Sequence, residues 1–525
     1  MMPREPTSDG EPLLGPLARG ERRLGDLVRE IPGAILADAE ASGLTITGVH
    51  HDSRAVVPGD LFVARAGARA HGASFITDAV ARGARAVLVR RGSADGVGGA
   101  ARIEADDVPR ALAFAAAAVY GHPTFALDVI GITGTNGKTT TAHLVRACIE
   151  AAGGRPGIIG TLGYRFGDLD LPASHTSPEA DELARLAAAM LARGANHLVM
   201  EVSSIALAAA RADAVRFRVA AFTNLTQDHL DYHGSMDAYA AAKARLFVEL
   251  GPGAAAINVD DAFGRTLAER LHHDGAASMP LARFSADPSA SRDNAEVAPI
   301  ELSHTAAGIM MKVRTPTGEL TLRSPLIGSH NVSNLLAAVA IVSMLDLDLV
   351  TAVSALSGPI AVAGRLERCD EPGKDDITVL VDYAHTPDAL ARVLDSVRPR
   401  GGAGRVICVF GCGGDRDPGK RPLMGEAVGR RADLAIVTSD NPRSEDPQAI
   451  AAAILPGLEA AGARYVVEIE RARAIDRAIL AAAPGDVVLI AGKGHETYQV
   501  IGPVTLAFDD RVEARRALAA RRGGA

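Results

Sequence analysis

Short apolar segments alternate with helical stretches along most of the chain, and this pattern predicts an α/β fold. Runs this short and this apolar are typical of parallel strands that are buried on both faces. In the last third of the chain they lie at Thr378–Val381, Arg405–Phe410, Asp433–Thr438 and Val487–Ala491, and a polar or glycine-rich loop follows each one directly. Because ligands bind at the carboxyl ends of strands in open α/β sheets, we expect the four loops to line one crevice.

The same pattern divides the chain into three units. In the first, strands are predicted at Gly48–Asp52, Asp60–Ala64 and Ala86–Arg90, with a helical stretch at Asp78–Gly83. In the second, strands are predicted at Leu127–Ile132, His197–Glu201, Val219–Thr223 and Ile257–Val259, then a long polar stretch, with helices at Thr139–Ala152 and Leu335–Met344. A length of 525 residues fits about three domains. We predict a disordered extension at 1–23, a small α/β domain at 24–125, a central P-loop-type domain with a mostly parallel sheet at 126–361, and a Rossmann-like C-terminal domain at 362–525.

Composition narrows the classes of function. The net charge is −8, from 63 acidic and 55 basic residues, which argues against a general nucleic-acid or anionic-membrane binder. No apolar run is long enough to span a bilayer, and the first residues do not have the pattern of a signal peptide. The four cysteines are too few for a disulfide framework and are predicted to be reduced thiols. We therefore expect a cytoplasmic protein.

A glycine- and threonine-rich loop between a predicted strand and a predicted helix is the strongest single motif. Gly134–Thr140 reads GTNGKTT, with Lys138 placed to meet phosphate oxygens and Thr139 placed to offer a hydroxyl to Mg²⁺. The positive N-terminus of the following helix points at the same anion. The spacing departs from the strict Walker pattern because Gly131 lies one residue too far from Gly137. A plain glycine-rich turn is the alternative, but the strand–loop–helix context favours phosphate binding.

Three further positions predict a metal site. Glu201 and the segment Thr223–His233 follow predicted strands, and Lys243 comes shortly afterwards on a predicted helix. A carboxylate, an imidazole and an oxygen donor fit a Mg²⁺ between ATP and an acidic substrate. An ordinary ammonium at Lys243 would repel that ion. Alone, Lys243 would be interpreted as a solvated helix lysine, and His229 alone would indicate little.

In this order and spacing, the motifs resemble those of the Mur ligase family, from about Leu24 to nearly the end of the chain. The phosphate loop is also similar to that of the related folylpolyglutamate synthases. The resemblance implies an ATP-dependent amide ligase of peptidoglycan precursor synthesis that works through an acyl phosphate. It also implies that Lys243 is carbamylated and so becomes an oxygen ligand. The implied catalytic residues are Lys138, Glu201, His229 and Lys243, and the implied Mg²⁺ ligands are Thr139, Glu201, His229 and carbamylated Lys243.

The resemblance also implies two binding sites for the first two substrates. Ser/Thr hydroxyls and Arg suit pyrophosphate and carboxylate groups, although each hydroxyl alone could equally cap a turn or helix. The implied UDP-sugar-peptide residues are Ser53, Thr176, Ser177, Ser203 and Arg211. The implied ATP residues are Gly134, Thr135, Asn136, Gly137, Lys138, Thr139, Thr140, Asn331, Arg365, Asp382 and His385.

The segment Asp440–Arg443 resembles the signature of the diaminopimelate-adding members. Meso-diaminopimelate carries a second carboxylate and amine, and an Arg can bind that carboxylate with two hydrogen bonds. A site built around Arg443 would leave a charge unpaired when lysine binds. The implied residues are Arg416, Asp440, Asn441, Pro442, Arg443, Gly492 and Glu496. The expected substrates are UDP-N-acetylmuramoyl-L-alanyl-D-glutamate, meso-diaminopimelate and ATP, and the expected state is a monomer.

Other functions stay open at this point. A ligase that adds L-lysine and a folylpolyglutamate synthase are close alternatives, and a non-catalytic protein that binds nucleotide or UDP-sugar belongs to a different class. Four departures from the family pattern motivate the last alternative: Ile205 where His is usual, Ala68 and Ala209 where some members have His and Gln, and Ala363 where Pro is usual.

Overall fold

The N-terminal unit is a small sheet with helices packed against it. The computed structural model describes residues 19–66, 72–93, 96–273, 279–305, 308–358, 360, 362–398 and 404–523. The main sheet has the order β2-β7-β6-β5-β4, in which β4 to β7 run parallel and β2 is antiparallel. Its elements are β1 (Arg22–Arg23), α1 (Leu24–Glu30), β2 (Ile35–Leu36), β3 (Thr45–Ile46), β4 (Val49–His50), β5 (Leu61–Val63), α2 (Ile76–Ala81), β6 (Ala86–Arg90), β7 (Ala101–Ala105) and α3 (Val108–Val119).

The start of this unit differs from the sequence prediction. Arg22 and Arg23 form a strand that pairs with Thr45 and Ile46, so ordered backbone begins inside the segment predicted to be a disordered extension. The reason is local, because the strand leads directly into α1, whose Leu24 and Leu27 are fully buried in the core. Residues 1–18 of that extension lie outside the described residues. The domain boundaries themselves stay predictions.

The central unit contains an eight-stranded sheet of order β11-β10-β9-β12-β8-β13-β14-β15. Strands β9, β12, β8, β13, β14 and β15 are parallel, as the apolar runs predict. The elements are β8 (Asp128–Thr133), α4 (Lys138–Ala151), β9 (Pro156–Gly160), β10 (Gly163–Phe166), β11 (Leu169–Leu171), α5 (Ala180–Ala192), β12 (His197–Glu201), α6 (Ser204–Ala208), β13 (Phe217–Phe222), α7 (Leu230–His233), α8 (Met236–Val248), β14 (Ala255–Asn258), α9 (Ala262–His273) and β15 (Leu281–Phe284).

A three-stranded antiparallel sheet occupies the stretch that the sequence pattern described only as polar. Its strands are β16 (Ala298–Thr305), β17 (Gly308–Thr315) and β18 (Gly318–Ser324). One face alternates into the core through Met311 and Val313, which is the period-two pattern of a half-buried sheet. The helices α10 (Ser329–Val342) and α11 (Leu349–Ser354) follow. Helix α10 packs beside α4 against the large sheet, which explains why nearly all its residues are buried.

The C-terminal unit has a six-stranded sheet of order β19-β20-β24-β21-β22-β23, parallel apart from β19. Apolar helices cover both faces, so the central strands β20, β24, β21 and β22 are almost wholly buried, whereas the edge strands β19 and β23 are partly exposed. The elements are β19 (Glu367–Arg368), β20 (Thr378–Asp382), α12 (Pro387–Val397), β21 (Val406–Phe410), α13 (Lys420–Gly429), β22 (Leu434–Val437), α14 (Pro447–Ala460), β23 (Tyr465–Val467), α15 (Arg471–Ala481), β24 (Val487–Ala491), β25 (Tyr498–Ile501), β26 (Val504–Ala507) and α16 (Asp510–Gly523).

The carboxyl ends of the strands in the second and third units meet across one crevice. Asn136 after β8 lies 3.4 Å from Asp388 at the start of α12, and Arg365 lies 3.2 Å from Thr139. Gly364 makes this approach possible: its φ is +64°, and a Cβ there would lie 2.1 Å from the backbone nitrogen of His495. No helix among the described residues is long and apolar enough to cross a membrane.

Candidate active site

The predicted phosphate loop connects β8 to α4. The Lys138 ammonium donates to the carbonyl oxygens of Gly134 and Thr135, both at 2.8 Å, so it folds back over the loop. Gly137 has a φ of +88°, and a Cβ there would lie 2.5 Å from Asn334 Oδ1, so this position needs glycine. Asn224 clamps the loop, accepting from the backbone of Asn136 at 2.9 Å. The result is a rigid turn at the N-terminus of a helix, an arrangement that suits anionic oxygens.

Glu201 lies at the carboxyl end of β12 and is 2% exposed. Its carboxylate accepts hydrogen bonds from the Thr139 hydroxyl at 2.9 Å and from the Thr161 backbone and hydroxyl at 2.8 and 3.2 Å. All three donors are neutral groups, so none of these hydrogen bonds brings a positive charge to the carboxylate. Sequence reasoning missed Thr161, which also contacts Thr176 at 3.2 Å. A threonine after an irregular strand carries no signal that separates it from an ordinary surface residue.

Lys243 lies on α8 and is 1% exposed. Its ammonium sits 4.4 Å from the centre of the Tyr239 ring, and among the described residues it forms no ion pair. Desolvation, with the charge of Lys138 nearby, holds the pKa of Lys243 well below its usual value. A buried lysine with a depressed pKa is largely the neutral amine, the form that reacts with carbon dioxide. The chemistry of this site therefore fits the carbamate that the family resemblance implies.

His229 adopts a left-handed backbone with φ of 52° directly before α7. Its Nε2 lies 3.5 Å from Asp228 Oδ2. Partial desolvation, together with Lys138 and Lys243, keeps the pKa of His229 below its usual value despite Asp228. A neutral imidazole is the form that binds metals. No group of three or more His, Cys, Asp and Glu in the described part of the chain could hold a metal by itself, so a cation here would need the Lys243 carbamate or phosphate oxygens.

A small cavity of about 110 Å³ opens beside the phosphate loop. Asn331 and Asn334 line it from α10, where Asn334 donates to Asn331 Oδ1 at 2.9 Å and Asn331 donates to the Ile327 carbonyl at 2.8 Å. His330 also lines it, and its buried Nδ1 has no hydrogen-bond partner within the part of the chain that the structure describes. Burial lowers the pKa of His330 to about 4, so the ring is neutral. The cavity thus offers neutral polar groups to a heterocycle.

The C-terminal unit closes this cavity through Arg365 and the loop after β20. The Arg365 guanidinium stacks 4.7 Å from the centre of the Tyr383 ring, and its buried Nε has no partner in the described structure. Asp382 accepts from the backbone nitrogens of Leu366 and Ala384 at 2.7 and 2.8 Å, and burial raises its pKa. Seven of the eleven predicted ATP residues line this one cavity, namely Asn136, Gly137, Thr140, Asn331, Arg365, Asp382 and His385. Gly134, Thr135, Lys138 and Thr139 are not among its lining residues.

A larger cavity of about 990 Å³ lies on the other side of the same loops. The loops after β20, β21, β22 and β24 all line it, which confirms the crevice predicted at the ends of these strands. Residues of the second unit line it as well. Of the predicted site residues, it brings together Thr176, His229, His385, Arg416, Asp440, Asn441, Arg443, Gly492 and Glu496. Pro442 and Ser53 are not among the residues that line it. Pro442 instead turns the backbone, and its carbonyl accepts from Glu445.

Within this cavity the charges are segregated. Arg416 is exposed, and Arg443 donates to the Gly414 carbonyl at 2.7 Å, so among the described residues neither guanidinium is tied to a carboxylate. Both guanidinium side chains lie beside Gly413, whereas Asp440 and Glu496 gather around Lys493 and form an acidic wall of the cavity. Desolvation raises the pKa of Glu496, although Lys493 opposes the shift. The cavity therefore offers cations to a carboxylate and carboxylates to an ammonium.

Lys493 holds the acidic wall together and was missed by the sequence reasoning. Its side chain has no exposed surface, and its Nζ lies 3.1 Å from Asn441 Oδ1, 3.2 Å from Glu496 Oε2 and 3.5 Å from Asp440 Oδ1. Asn441 in turn donates to Glu496 at 2.8 Å. The sequence did offer a signal, because Lys493 stands between two glycines directly after a buried strand. A charged side chain at such a position is expected to have a polar role and not to pack in an apolar core. Its burial depends on contacts across the loops, which no local pattern shows.

Four of the five predicted UDP-sugar-peptide residues cluster at the boundary between the first two units. The Ser177 hydroxyl donates to the Glu201 carbonyl at 2.9 Å and contacts Ser203, and Ser203 caps α6. Arg211 donates to the Ser177 carbonyl at 3.0 Å. Ser53 lies apart, in the N-terminal unit, where its hydroxyl contacts Asp78. The capping roles weighed as the alternative for these hydroxyls are therefore present, and ligand binding by them stays a prediction.

Glu179 links the first two units. It accepts from Arg211 at 2.7 Å and from Arg65 of the N-terminal unit at 2.9 Å. Of the four departures from the family pattern, Ile205 lines the larger cavity, while Ala209 ends α6 and Ala363 precedes Gly364. Ala68 lies outside the described residues.

The fold and site define a nucleotide-binding α/β protein with a phosphate loop in one unit and a substrate cavity shared with the next. Three family models match the chain: "Mur ligase family, catalytic domain" over residues 45–122, "Mur ligase middle domain" over 132–342 and "Mur ligase, glutamate ligase domain" over 364–494. The four cysteines are free and buried, as predicted.

Curated relatives and solved structures agree with these models. The UDP-N-acetylmuramoyl-L-alanyl-D-glutamate–2,6-diaminopimelate ligase of Synechococcus elongatus is 45% identical over 95% of this chain and 99% of its own. The protein of the same name from Streptomyces coelicolor is 44% identical over 94% and 97%. A solved structure of a ligase with this name superposes with a TM-score of 0.66 at 34% identity, covering 93% and 97% of the two chains. The chain belongs to the Mur ligase family of ATP-dependent ligases.

A more distant structure shares the fold. Folylpolyglutamate synthase of Mycobacterium tuberculosis, solved with ADP and AMPPCP, superposes with a TM-score of 0.57 at 21% identity. It covers 72% of this chain and 91% of its own. The predicted fold class, three α/β units with a parallel central sheet, is confirmed by these neighbours and by the sheets themselves.

Proposed function

We propose that this ligase joins meso-diaminopimelate to the γ-carboxylate of the D-glutamate in UDP-N-acetylmuramoyl-L-alanyl-D-glutamate, with ATP converted to ADP and phosphate, in the cytoplasm. The observation that carries the proposal is the larger cavity, which Arg416, Arg443, Asp440 and Glu496 line together with His229 of the central unit. Diaminopimelate has one carboxylate and one ammonium at its far end, and the charged side chains of this cavity offer the complementary charges. The names of the relatives at 44–45% identity point to the same substrates.

The reaction has two steps. The D-glutamate carboxylate attacks the γ-phosphorus of ATP, ADP leaves with the electron pair of the broken bond, and an acyl phosphate forms. Lys138 stabilises the charge on the transferring group, as fixed cations do in phosphoryl transfer. The amine of diaminopimelate then attacks the acyl carbon, and phosphate leaves. Arg365 and the loop after β20 keep water out of the crevice, which protects the acyl phosphate from hydrolysis.

Magnesium fits this site on the chemistry of its donors. Thr139, Glu201, His229 and carbamylated Lys243 would hold it, and the ion would neutralise charge on the phosphates when bound. The Lys243 carbamate supplies the oxygen that an ammonium cannot. Thr176, Ser177, Ser203 and Arg211, with Ser53 further out, would hold the UDP-sugar-peptide.

The test measures phosphate release from purified protein with ATP, Mg²⁺ and the UDP-dipeptide, adding meso-diaminopimelate, L-lysine or neither. Release with diaminopimelate alone, together with a tripeptide product, supports the proposal. Release with L-lysine would keep the ligase but contradict the role given to Asp440–Arg443. Replacing Lys138 by Ala should abolish release altogether, and Arg443→Ala should damage diaminopimelate use far more than ATP use.

A further inference from the structure

The ring of His385 lies where the two cavities meet. It lines both the smaller cavity beside the phosphate loop and the larger one that contains Asp440 and Arg443, and Tyr383 of the same loop does so too. In the proposed reaction the acyl carbon must lie between the nucleotide and the incoming amine. His385 therefore stands beside the point where the new bond forms.

The hydrogen bond of His385 fixes which ring nitrogen can accept a proton. Nδ1 lies 2.7 Å from the carbonyl oxygen of Tyr383. A carbonyl oxygen can only accept, so Nδ1 carries the hydrogen in the neutral ring and Nε2 holds a free lone pair. The Tyr383 ring packs edge-on against the imidazole with 4.6 Å between the ring centres, which holds its orientation. The base is thus oriented by its own loop.

The charged groups around the His385 imidazole keep it neutral before the reaction and stabilise its protonated form afterwards. Desolvation and the nearby cations Lys420 and Arg365 lower the pKa of His385, while Asp228 acts in the opposite direction. Lys420 also donates to the His385 carbonyl at 3.3 Å. The nearby Asp388 is engaged by Asn136 and Arg392. A proton taken up at Nε2 would be stabilised by Asp228, and Lys420 and Arg365 would favour its release.

We propose that His385 is a catalytic residue whose Nε2 accepts the proton that the diaminopimelate amine loses as it forms the amide. This inference rests on the proposed function. The nitrogen lone pair of the neutral amine attacks the acyl carbon, and the carbonyl opens to an oxyanion. The proton on that nitrogen moves to Nε2. The oxyanion then re-forms the carbonyl, the carbon–oxygen bond to phosphate breaks, and phosphate leaves with the electron pair. The imidazolium returns its proton to solvent.

Other bases in the cavity are less suited to this step. Glu496 is already engaged by Lys493 and Asn441. His229 belongs to the predicted metal ligands. His495 packs on Tyr383, with 5.0 Å between ring centres, but among the described residues its buried Nδ1 has no partner that would fix the tautomer. His385 combines a fixed tautomer with a position at both cavities.

The test separates the two half-reactions with hydroxylamine. This small nucleophile traps an acyl phosphate as a hydroxamate in free solution, where water takes up the proton that its nitrogen loses, so trapping does not depend on a base from the protein. His385→Asn keeps a side-chain N–H that can reach the Tyr383 carbonyl but has no basic nitrogen. Because His385 also lines the smaller cavity beside the phosphate loop, His385→Asn should slow both half-reactions, but unequally. We expect turnover with diaminopimelate to fall by about 10²–10⁴-fold, the usual contribution of a general base, and hydroxamate formation to fall by at least about tenfold less. His122→Gln, in the N-terminal unit, is the matched control and should change neither rate.

Each result has one meaning. If His385→Asn lowers hydroxamate formation and diaminopimelate turnover equally, His385 acts on the nucleotide and the proposal is overturned. Unchanged turnover with diaminopimelate would also overturn it. If the unmodified protein forms no hydroxamate at all, the proposed function fails before this inference is reached. The pH profile gives an independent readout: kcat should fall at acid pH with a limb below the ordinary histidine value of about 6.5, and His385→Asn should lose that limb.

Discussion

Replacing Lys493 by methionine should destabilise the C-terminal unit at neutral pH. The Lys493 ammonium is fully buried, 3.2 Å from Glu496 and 3.5 Å from Asp440, and methionine keeps most of its volume without its charge. Removing one partner of a buried ion pair costs about 3–5 kcal/mol, because the remaining charge is left uncompensated. Asn441 still donates to Glu496 at 2.8 Å in the variant, so we expect a loss near the lower limit, about 3 kcal/mol.

The loss should depend on pH in a defined direction. Burial already raises the pKa of Glu496 above its usual 4.5, and Lys493 opposes this shift together with the hydrogen bond from Asn441. In the variant the folded-state pKa rises further. A carboxyl whose folded-state pKa is raised contributes its full stability below the unfolded-state value and loses it as pH rises through the folded-state value. Lys493→Met should therefore differ little from the unmodified protein near pH 4.5 and differ most at about pH 8.

Urea unfolding at the two pH values measures this directly, with Lys374→Met as the matched control because that lysine is 66% exposed. The double variant Lys493→Met with Glu496→Gln should recover part of the loss, since no charge is then left unpaired at position 496. The Michaelis constant for diaminopimelate should rise while that for ATP stays within about twofold. Equal unfolding midpoints for Lys493→Met and the unmodified protein at pH 8 would refute the reasoning.

Three further variants test other contacts. Lys243→Met should abolish turnover yet leave the free energy of unfolding unchanged or raised by about 1–3 kcal/mol, because it removes a buried amine that has no ion-pair partner in the described part of the chain; urea unfolding in buffer freed of carbon dioxide measures this. Gly364→Ala should raise the Michaelis constant for ATP at least tenfold, since its Cβ would meet the His495 backbone at 2.1 Å; a similar constant with lower thermal stability alone would contradict a role in closure. Arg65→Met should raise the Michaelis constant for the UDP-dipeptide by about 5–10-fold with little change in kcat, because it breaks the contact between the first two units through Glu179; steady-state kinetics against Arg82→Met, an exposed residue, measures it.

The strands of the parallel sheets could be predicted well from sequence. His197–Glu201, Ala86–Arg90 and Val487–Ala491 begin and end where the apolar runs predict. Buried parallel strands are short, apolar on both faces and followed by polar loops. The change from apolar to polar residues along the sequence therefore marks where each strand ends. The antiparallel strands from Ala298 to Ser324 were not predicted. Their outer face is polar, and they become a sheet only by pairing with one another and packing on α11 and the turn that follows it.

The residues of the candidate site also divide into those that the sequence identified and those whose contacts only the structure shows. Motif order located Lys138, Glu201, His229 and Lys243, and the structure places Glu201 within hydrogen-bond distance of Thr139. The sequence could not show that Lys243 is buried without an ion pair in the described chain, or that Lys493 sits between two carboxylates. The burial of Lys243 depends on how its helix packs. The position of Lys493 depends on Asp440, which lies more than fifty residues away along the chain. Conversely, the Ser203 hydroxyl caps α6, the local role that the sequence offered as an alternative, whereas the Ser177 hydroxyl donates to the distant Glu201 carbonyl.

The polar contacts of the phosphate loop link nucleotide binding to domain closure. Lys138 donates to two loop carbonyls, Thr139 donates to Glu201, and Arg365 reaches Thr139 from the C-terminal unit. Phosphate oxygens are stronger acceptors than carbonyl or hydroxyl oxygens, because the hydrogen bond is then charge-assisted. Lys138 and Arg365 would therefore exchange these acceptors for phosphate when ATP binds. Since one of these donors belongs to the third unit, the free energy of that exchange favours the closed crevice, and closure in turn brings His385 and the acidic wall to the acyl phosphate.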